Sequence, residues 1–213
     1  AMVAAALGYR IKLLMPACVS QERRSMLLAL GAEVELTPGC DRTDGAIRRA
    51  HHIYDLSPDL YFMPNQFANE SNWKAHYNTT APEIVRDTDS KFDYLVAGMG
   101  TTGTLMGLQR RLKEFSPNVE IIGVEPYLGH KIQGLKNMKE AYQPEIYDKD
   151  RLDCKVNIDD EDAFEMSRRL AKDEGLFVGM SSGAAMAIAQ EEVKAMSEGV
   201  VVAILPDGGE RYL

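Results

Sequence analysis

Short apolar runs recur along this chain with helical segments between them, and that alternation restricts the fold more than any other feature. The runs are RIKLLMP (10–16), AEVELTP (32–38), LYFMP (60–64), FDYLVAG (92–98), VEIIGVEP (119–126) and GVVVAILP (199–206). AEVELTP keeps a period of two; the others are close to continuously apolar. A strand with one wet face alternates polar and apolar residues, whereas a strand covered on both faces does not. The intervening segments SQERRSMLLAL, TDGAIRRAHHIYDL, WKAHYNTTAPEIVRDT, TLMGLQRRLKEF, DEDAFEMSRRLAKDEG and SGAAMAIAQEEVKAM read as helices. Strand and helix in turn predict an α/β fold, a mainly parallel sheet with helices on both faces in three layers.

Local signals sharpen the boundaries. Ser20 is placed to cap the helix that Gly31 ends. Pro82 must kink its segment or open a new turn. Residues 126–158 are the least regular stretch and read as an excursion over the top of the sheet. Met26, Met106 and Met166 fall at core positions as flexible gap-fillers.

Composition closes off several functions. The net charge is -8 over 213 residues. A nucleic-acid binder needs a basic face, and a surface that seeks anionic lipid needs the same. No apolar run is long enough to span a bilayer. Cys18, Cys40 and Cys154 are odd in number and far apart, which fits free thiols in a reducing compartment. His51 and His52 are adjacent and point to different sides of a helix, so they cannot share a metal as an i, i+4 pair does; no metal site is expected. The opening AMVAAALGY has no capping residue and no initiator Met, so a helix cut through its middle is expected, with 213 residues as a fragment's length.

The sharpest motif is Gly98-Met99-Gly100-Thr101-Thr102-Gly103, which follows FDYLVA and opens TLMGLQRRLK. Such a turn aims backbone N–H groups and hydroxyls at one point, beside the positive end of a helix, and a phosphate is its natural guest. The same residues satisfy a dinucleotide fingerprint. Glu125 closes the next strand, about 20 residues on, where a ribose-binding acid would sit. A nicotinamide-dependent oxidoreductase is therefore a rival. Against it, the fingerprint normally lies in the first strand–helix–strand unit, and three apolar runs precede this one.

The stretches LLMPACVSQERRSMLLALGAEV, NQFANESNWKAHYNTTAPEI, AGMGTTGTLMG, IIGVEP, EGLFVGMSSGAA and LPDGGERYL together resemble the fold type II pyridoxal-phosphate enzymes, the tryptophan synthase β-like group, and within it the cysteine synthases. GMGTTGT and LKNMKEAYQPEIYD resemble the cysteine synthase B branch. The resemblance implies a fold of two lobes, residues 1–65 as the remainder of the smaller one and 66–213 as the larger, cofactor-phosphate-binding one. It implies that Gly100, Thr101, Thr102, Gly103 and Thr104 cradle the 5′-phosphate of pyridoxal phosphate. Ser181 would face the pyridine nitrogen; the bland reading of SSGAA is a helix start with small residues for close packing. Gln66 would help position a substrate carboxylate. Lys136 would meet a phosphate leaving group, against a plain reading as a solvated surface lysine.

The reaction so implied forms L-cysteine from O-acetylserine or O-phosphoserine and a sulfur donor, in a cytoplasmic homodimer. The family's lysine that bonds to the cofactor lies in a Ser-x-Lys-Asp-like stretch. None of the eleven lysines here has that setting, so no catalytic residue is assigned and the stretch alone is expected to be inactive. A relative that binds the cofactor or a partner without catalysis is the third class.

Overall fold

The first helix of the computed structural model, α1 (Met2–Leu7), opens at Ala1 without a side-chain cap, closes on Gly8 at φ 72° and buries no residue. Residues 1–212 are described, in two units: residues 1–64 with 210–212, and residues 65–209.

In the first unit β1 (Lys12–Pro16) pairs in parallel with β2 (Glu33–Thr37), Lys12 opposite Glu33 and Pro16 opposite Thr37. Between them lies α2 (Gln21–Ala29), where the Ser20 hydroxyl accepts from the Arg23 N–H at 3.4 Å. The same hydroxyl donates to the Arg211 carbonyl at 2.7 Å, and Arg23 reaches the Tyr212 hydroxyl at 3.0 Å. These bonds tie residues 210–212 to this unit. The long helix α3 (Arg42–Leu56) buries Gly45, Ala46 and Ile47.

Two expectations fail here. LYFMP is not a strand: residues 60–64 make no ladder, and Phe62 is 86% exposed. Apolar side chains alone do not make a strand, because the backbone needs a neighbour to bond. Met26 is not a core residue; α2 buries none of its side chains.

The second unit holds a four-stranded parallel sheet in the order β5-β4-β3-β6. Its strands are β3 (Tyr94–Gly98), β4 (Glu120–Pro126), β5 (Cys154–Ile158) and β6 (Val201–Ala203). Its helices are α4 (Ser71–Asn78), α5 (Thr80–Asp87), α6 (Gly103–Phe115), α7 (Asp160–Glu174) and α8 (Met180–Ala195). The segment around Pro82 divides into α4 and α5 at Thr79, and Pro82 lies in the first turn of α5, where its missing N–H costs nothing.

β3 shows why its sequence has no polar alternation. Leu95 and Ala97 join a core with Leu105, Leu108 and Leu112 of α6, while Val96 joins a second core with Ala184, Ala185 and Ile188 of α8. Successive side chains point to opposite faces, and both faces are covered. Each Leu or Val so buried contributes about 1.5–3 kcal/mol relative to exposure. β5 was not expected: CKVNI lies inside the stretch read as an irregular excursion. It is an edge strand whose first residues are exposed, so its sequence carries little apolar signal.

α7 and α8 pack closely at Gly183, where a Cβ would press on the Ala163 carbonyl and on the Ser167 side chain and amide. Gly183→Ala gains about 1 kcal/mol of helix propensity. The contacted atoms are largely backbone and cannot swing away, so overpacking wins. Overpacking of about 1–3 kcal/mol less that gain leaves a net loss of up to about 2 kcal/mol, read as an earlier urea midpoint; an unchanged midpoint would show the helices can part.

Candidate functional site

The sheet of the second unit delivers β3 into residues 98–104 at its carboxyl end, where parallel α/β sheets bind ligands. Met99 N–H donates to the Val124 carbonyl at 2.8 Å and the Met99 carbonyl accepts from the Lys136 N–H at 2.7 Å, so the loop is pinned from β4 and from the excursion. A Cβ on Gly100 would stand 2.7 Å from the Gly134 carbonyl oxygen, and one on Gly103 would collide with the Asn72 side chain. At Gly100 the obstacle is backbone, which cannot move aside; at Gly103 it is the Asn72 carboxamide, which is held by its bonds to Thr101 and to the Gln66 carbonyl. Gly134, at φ 93°, lies in turn against Ser181, whose Oγ is 3.8 Å from the position of a Gly134 Cβ. The structure thereby brings Gly100, Gly134 and Ser181 together.

Thr102 stands at φ 67° and caps α6. A β-branched residue in this left-handed region is strained by about 1–2 kcal/mol. Its side chain is buried, and Oγ1 has no hydrogen-bond partner. No protein acceptor is found among the described residues for the N–H groups of Gly100, Thr101 and Thr102. Strain, an orphaned buried hydroxyl and converging donors at the start of a 13-residue helix fit an anionic group of phosphate size.

Neighbouring side chains orient the threonines. Asn72 Nδ2 donates to Thr101 Oγ1 at 3.0 Å and to the Gln66 carbonyl at 2.7 Å. Gly103 N–H also donates to Thr101 Oγ1, at 3.4 Å. With its lone pairs engaged, the Thr101 hydroxyl proton is free to point at a ligand. Thr104 Oγ1 lies 3.3 Å from His76 Nε2, and His76 Nδ1 lies 3.0 Å from Thr80 Oγ1. Burial holds the His76 ring below its usual pKa, so it is neutral at pH 7, with one nitrogen to donate and one to accept. Gln66 itself is exposed, and its backbone carbonyl, rather than its amide, is tied to the loop through Asn72.

Lys136 is not a solvated surface lysine. It is 3% exposed, and Nζ donates to Glu140 at 2.6 Å. Glu140 also meets His130 Nε2 at 3.2 Å and accepts from the Asn137 N–H. Burial pushes the Glu140 carboxyl up, but the bonds from His130 and Lys136 outweigh it and hold the pKa at about 2. Gln133, passed over in the sequence because it lies in the irregular stretch, carries a buried Oε1 with no partner next to Gly134. The signal for it is structural only: an unsatisfied buried acceptor beside the loop.

Glu125 overturns the dinucleotide reading. It is 1% exposed, pairs with Lys155 at 2.7 Å and accepts from the Met138 N–H at 2.7 Å. Its carboxylate is committed to holding the excursion and β5 to β4, and it cannot take up a ribose. Two strands, β1 and β2, precede the strand that leads into the loop, where three apolar runs were counted as strands.

The family model for pyridoxal-phosphate dependent enzymes matches residues 1–207. Cysteine synthase of Aquifex aeolicus (strain VF5) is 44% identical over 218 residues, spanning 100% of this chain and 67% of that protein. The crystal structure of O-ureido-L-serine synthase superposes with a TM-score of 0.91 at 38% identity, over 100% of this chain and 69% of that one. That of the O-acetylserine dependent cystathionine beta-synthase from Helicobacter pylori has a TM-score of 0.91 at 37% identity, over 99% of this chain and 71% of that one.

His76 gives the site a pH signature. The unfolded chain takes up a proton near pH 6.5, while the buried ring resists it. The contribution is whole above pH 6.5 and is lost as pH falls through the lowered folded value. The urea midpoint should fall on acidification from pH 7 to pH 5, and His76→Gln should flatten that fall. An identical slope in the variant would place the titration elsewhere.

Proposed function

Because the chain belongs to the family of pyridoxal-phosphate dependent enzymes, we propose that residues 100–104 hold the 5′-phosphate of that cofactor in a cysteine synthase. The reaction replaces the activated hydroxyl of a serine with sulfur to give L-cysteine. The observation that carries the site is what meets at the loop: an orphaned Thr102 hydroxyl, N–H groups without protein acceptors among the described residues, and two glycines whose Cβ positions are occupied by the Gly134 carbonyl and the Asn72 carboxamide. Bound there, the cofactor supplies an electron sink for bond breaking at the amino acid's Cα and Cβ.

The remaining roles belong to the chain. Thr101 and Thr104 donate to the phosphate, oriented by Asn72 and His76. Ser181 offers the pyridine nitrogen a hydroxyl in place of a carboxylate. That partner holds no permanent charge and suits replacement at Cβ over transamination. Its burial at the start of α8, with Gly134 against it, supports a fixed position. Gln66 and Gln133 lie in segments that touch the loop and are placed to meet the substrate.

Lys136 bears on the leaving group. Its charge is already matched by Glu140 at 2.6 Å, which supports O-acetylserine over O-phosphoserine as the substrate. The reading carries with it a homodimer acting in the cytoplasm on small molecules, not on nucleic acid or membranes. The net charge of -8 supports the exclusion of nucleic acid and of anionic lipid surfaces, and no helix among the described residues is long and apolar enough to cross a membrane.

In the holoenzyme, turnover with O-acetylserine and sulfide should exceed turnover with O-phosphoserine. Glu140→Gln releases the lysine's charge and should shift that preference toward O-phosphoserine by roughly tenfold, the worth of about one charge-assisted hydrogen bond. A preference that does not move would take Lys136 away from the leaving group. No cysteine formed from either substrate would overturn the function.

A further inference from the structure

Away from the glycine loop, the second unit has a cleft of about 490 Å³ where α4 and α6 meet the residues before β5. Trp73, Lys74, Tyr77, Asn78, Arg110 and Arg151 line it. The Arg110 guanidinium lies over the Trp73 ring at 4.3 Å from its centroid, and the Lys74 ammonium lies over the same ring at 5.4 Å.

The charges around this cleft are unevenly matched. Lys74 pairs with Glu70 at 2.6 Å, and Arg151 pairs with Asp148 at 3.0 Å. Glu114, the one carboxylate on the lining, is consumed by Arg111 at 2.5 Å and by the Tyr77 hydroxyl at 2.7 Å. Arg110 has no ion pair among the described residues; its Nη1 donates to the Met106 carbonyl at 2.9 Å. Burial lowers its pKa from the ordinary value and the nearby Arg151 adds to that effect, outweighing the opposite pull of Asp148 and Glu70. A half-buried guanidinium that lacks a carboxylate and is crowded by a second cation is an electrostatic deficit. An anion entering the cleft would relieve it.

The geometry points to a second anion site in this unit, formed by Arg110 and Arg151 with Asn78, for a multiply charged oxyanion of the phosphate or sulfate type. Guanidinium forks match tetrahedral oxyanions with paired hydrogen bonds. The carboxamide of Asn78 adds a neutral donor, and the Trp73 face holds Arg110 in place from the other side. The site shares no residue with residues 100–104 and stands whether or not those bind a cofactor.

Trp73 is the single tryptophan of the chain, so its fluorescence reports on this cleft. The test is a titration of the full chain with inorganic phosphate and with sulfate at constant ionic strength, with chloride as the control. A saturable change with the divalent oxyanions and none with chloride is expected. Arg110→Gln should raise the half-saturating concentration at least tenfold, and Arg110→Lys should fall between. If Arg110→Gln fails to fold by circular dichroism, Arg151→Gln reads the same site. Thr104→Val, in the glycine loop, should leave the titration unchanged. The inference is overturned if chloride reproduces the signal, if the arginine variants titrate like the parent, or if Thr104→Val abolishes the response and so places the anion in the loop.

Discussion

Two glycines without room for a side chain set the geometry from which the candidate site follows. Gly100 presses its backbone against the Gly134 carbonyl, and Gly103 sits against the Asn72 side chain. These approaches bring a strand end, a helix start, the excursion and the α4 region to one point. The N–H groups of Gly100, Thr101 and Thr102 there have no protein acceptor among the described residues. Thr102 is strained there because the turn needs a left-handed residue, and the fold tolerates about 1–2 kcal/mol for it. The core supplies the rigidity: β3 is covered on both faces, so the residue at which it ends is well defined.

Much of this was legible in the sequence, for reasons that can be named. Continuous apolar runs such as FDYLVAG announce a doubly covered strand, and Ser20 announces a helix start. The glycine and threonine pattern after β3 marks a turn into a helix. The illegible parts are those decided by tertiary partners. LYFMP has strand composition, yet no described strand is there to pair with it. CKVNI is a strand because β4 offers its edge, and the sequence has no way to register that offer. For Lys136 the sequence left a leaving-group contact and a solvated surface lysine both open, because nothing along the chain shows that it is buried against Glu140, which in turn meets His130. Glu125 suited a ribose by its position alone; its bonds to Lys155 and Met138 decided otherwise.

The buried charges share one logic. Lys136 with Glu140 and Lys155 with Glu125 are ion pairs in which at least one member is nearly inaccessible. Such pairs are poor sources of net stability, because desolvation offsets attraction. Lys155 with Glu125, however, fastens β5, where the excursion ends, to β4, while Lys136 with Glu140 braces the excursion internally. Ile132, Leu135 and Met138 of the same segment enter the two cores, and Gly134 and Gln133 are thereby held beside the loop. Charge here fixes position rather than adding stability, and at the surface cleft Arg110 has no ion pair among the described residues.

The central claim is that residues 100–104 recognise a phosphate. Equilibrium dialysis of the protein against pyridoxal 5′-phosphate and against pyridoxal isolates that group, since the two differ in nothing else. The account predicts that the phosphorylated form is retained at least tenfold more tightly. It further predicts that replacing Thr101 and Thr104 together with Val removes most of the difference, as expected for charge-assisted hydrogen bonds worth about 1.5–3 kcal/mol each. Equal retention of the two compounds by the unaltered protein would contradict it.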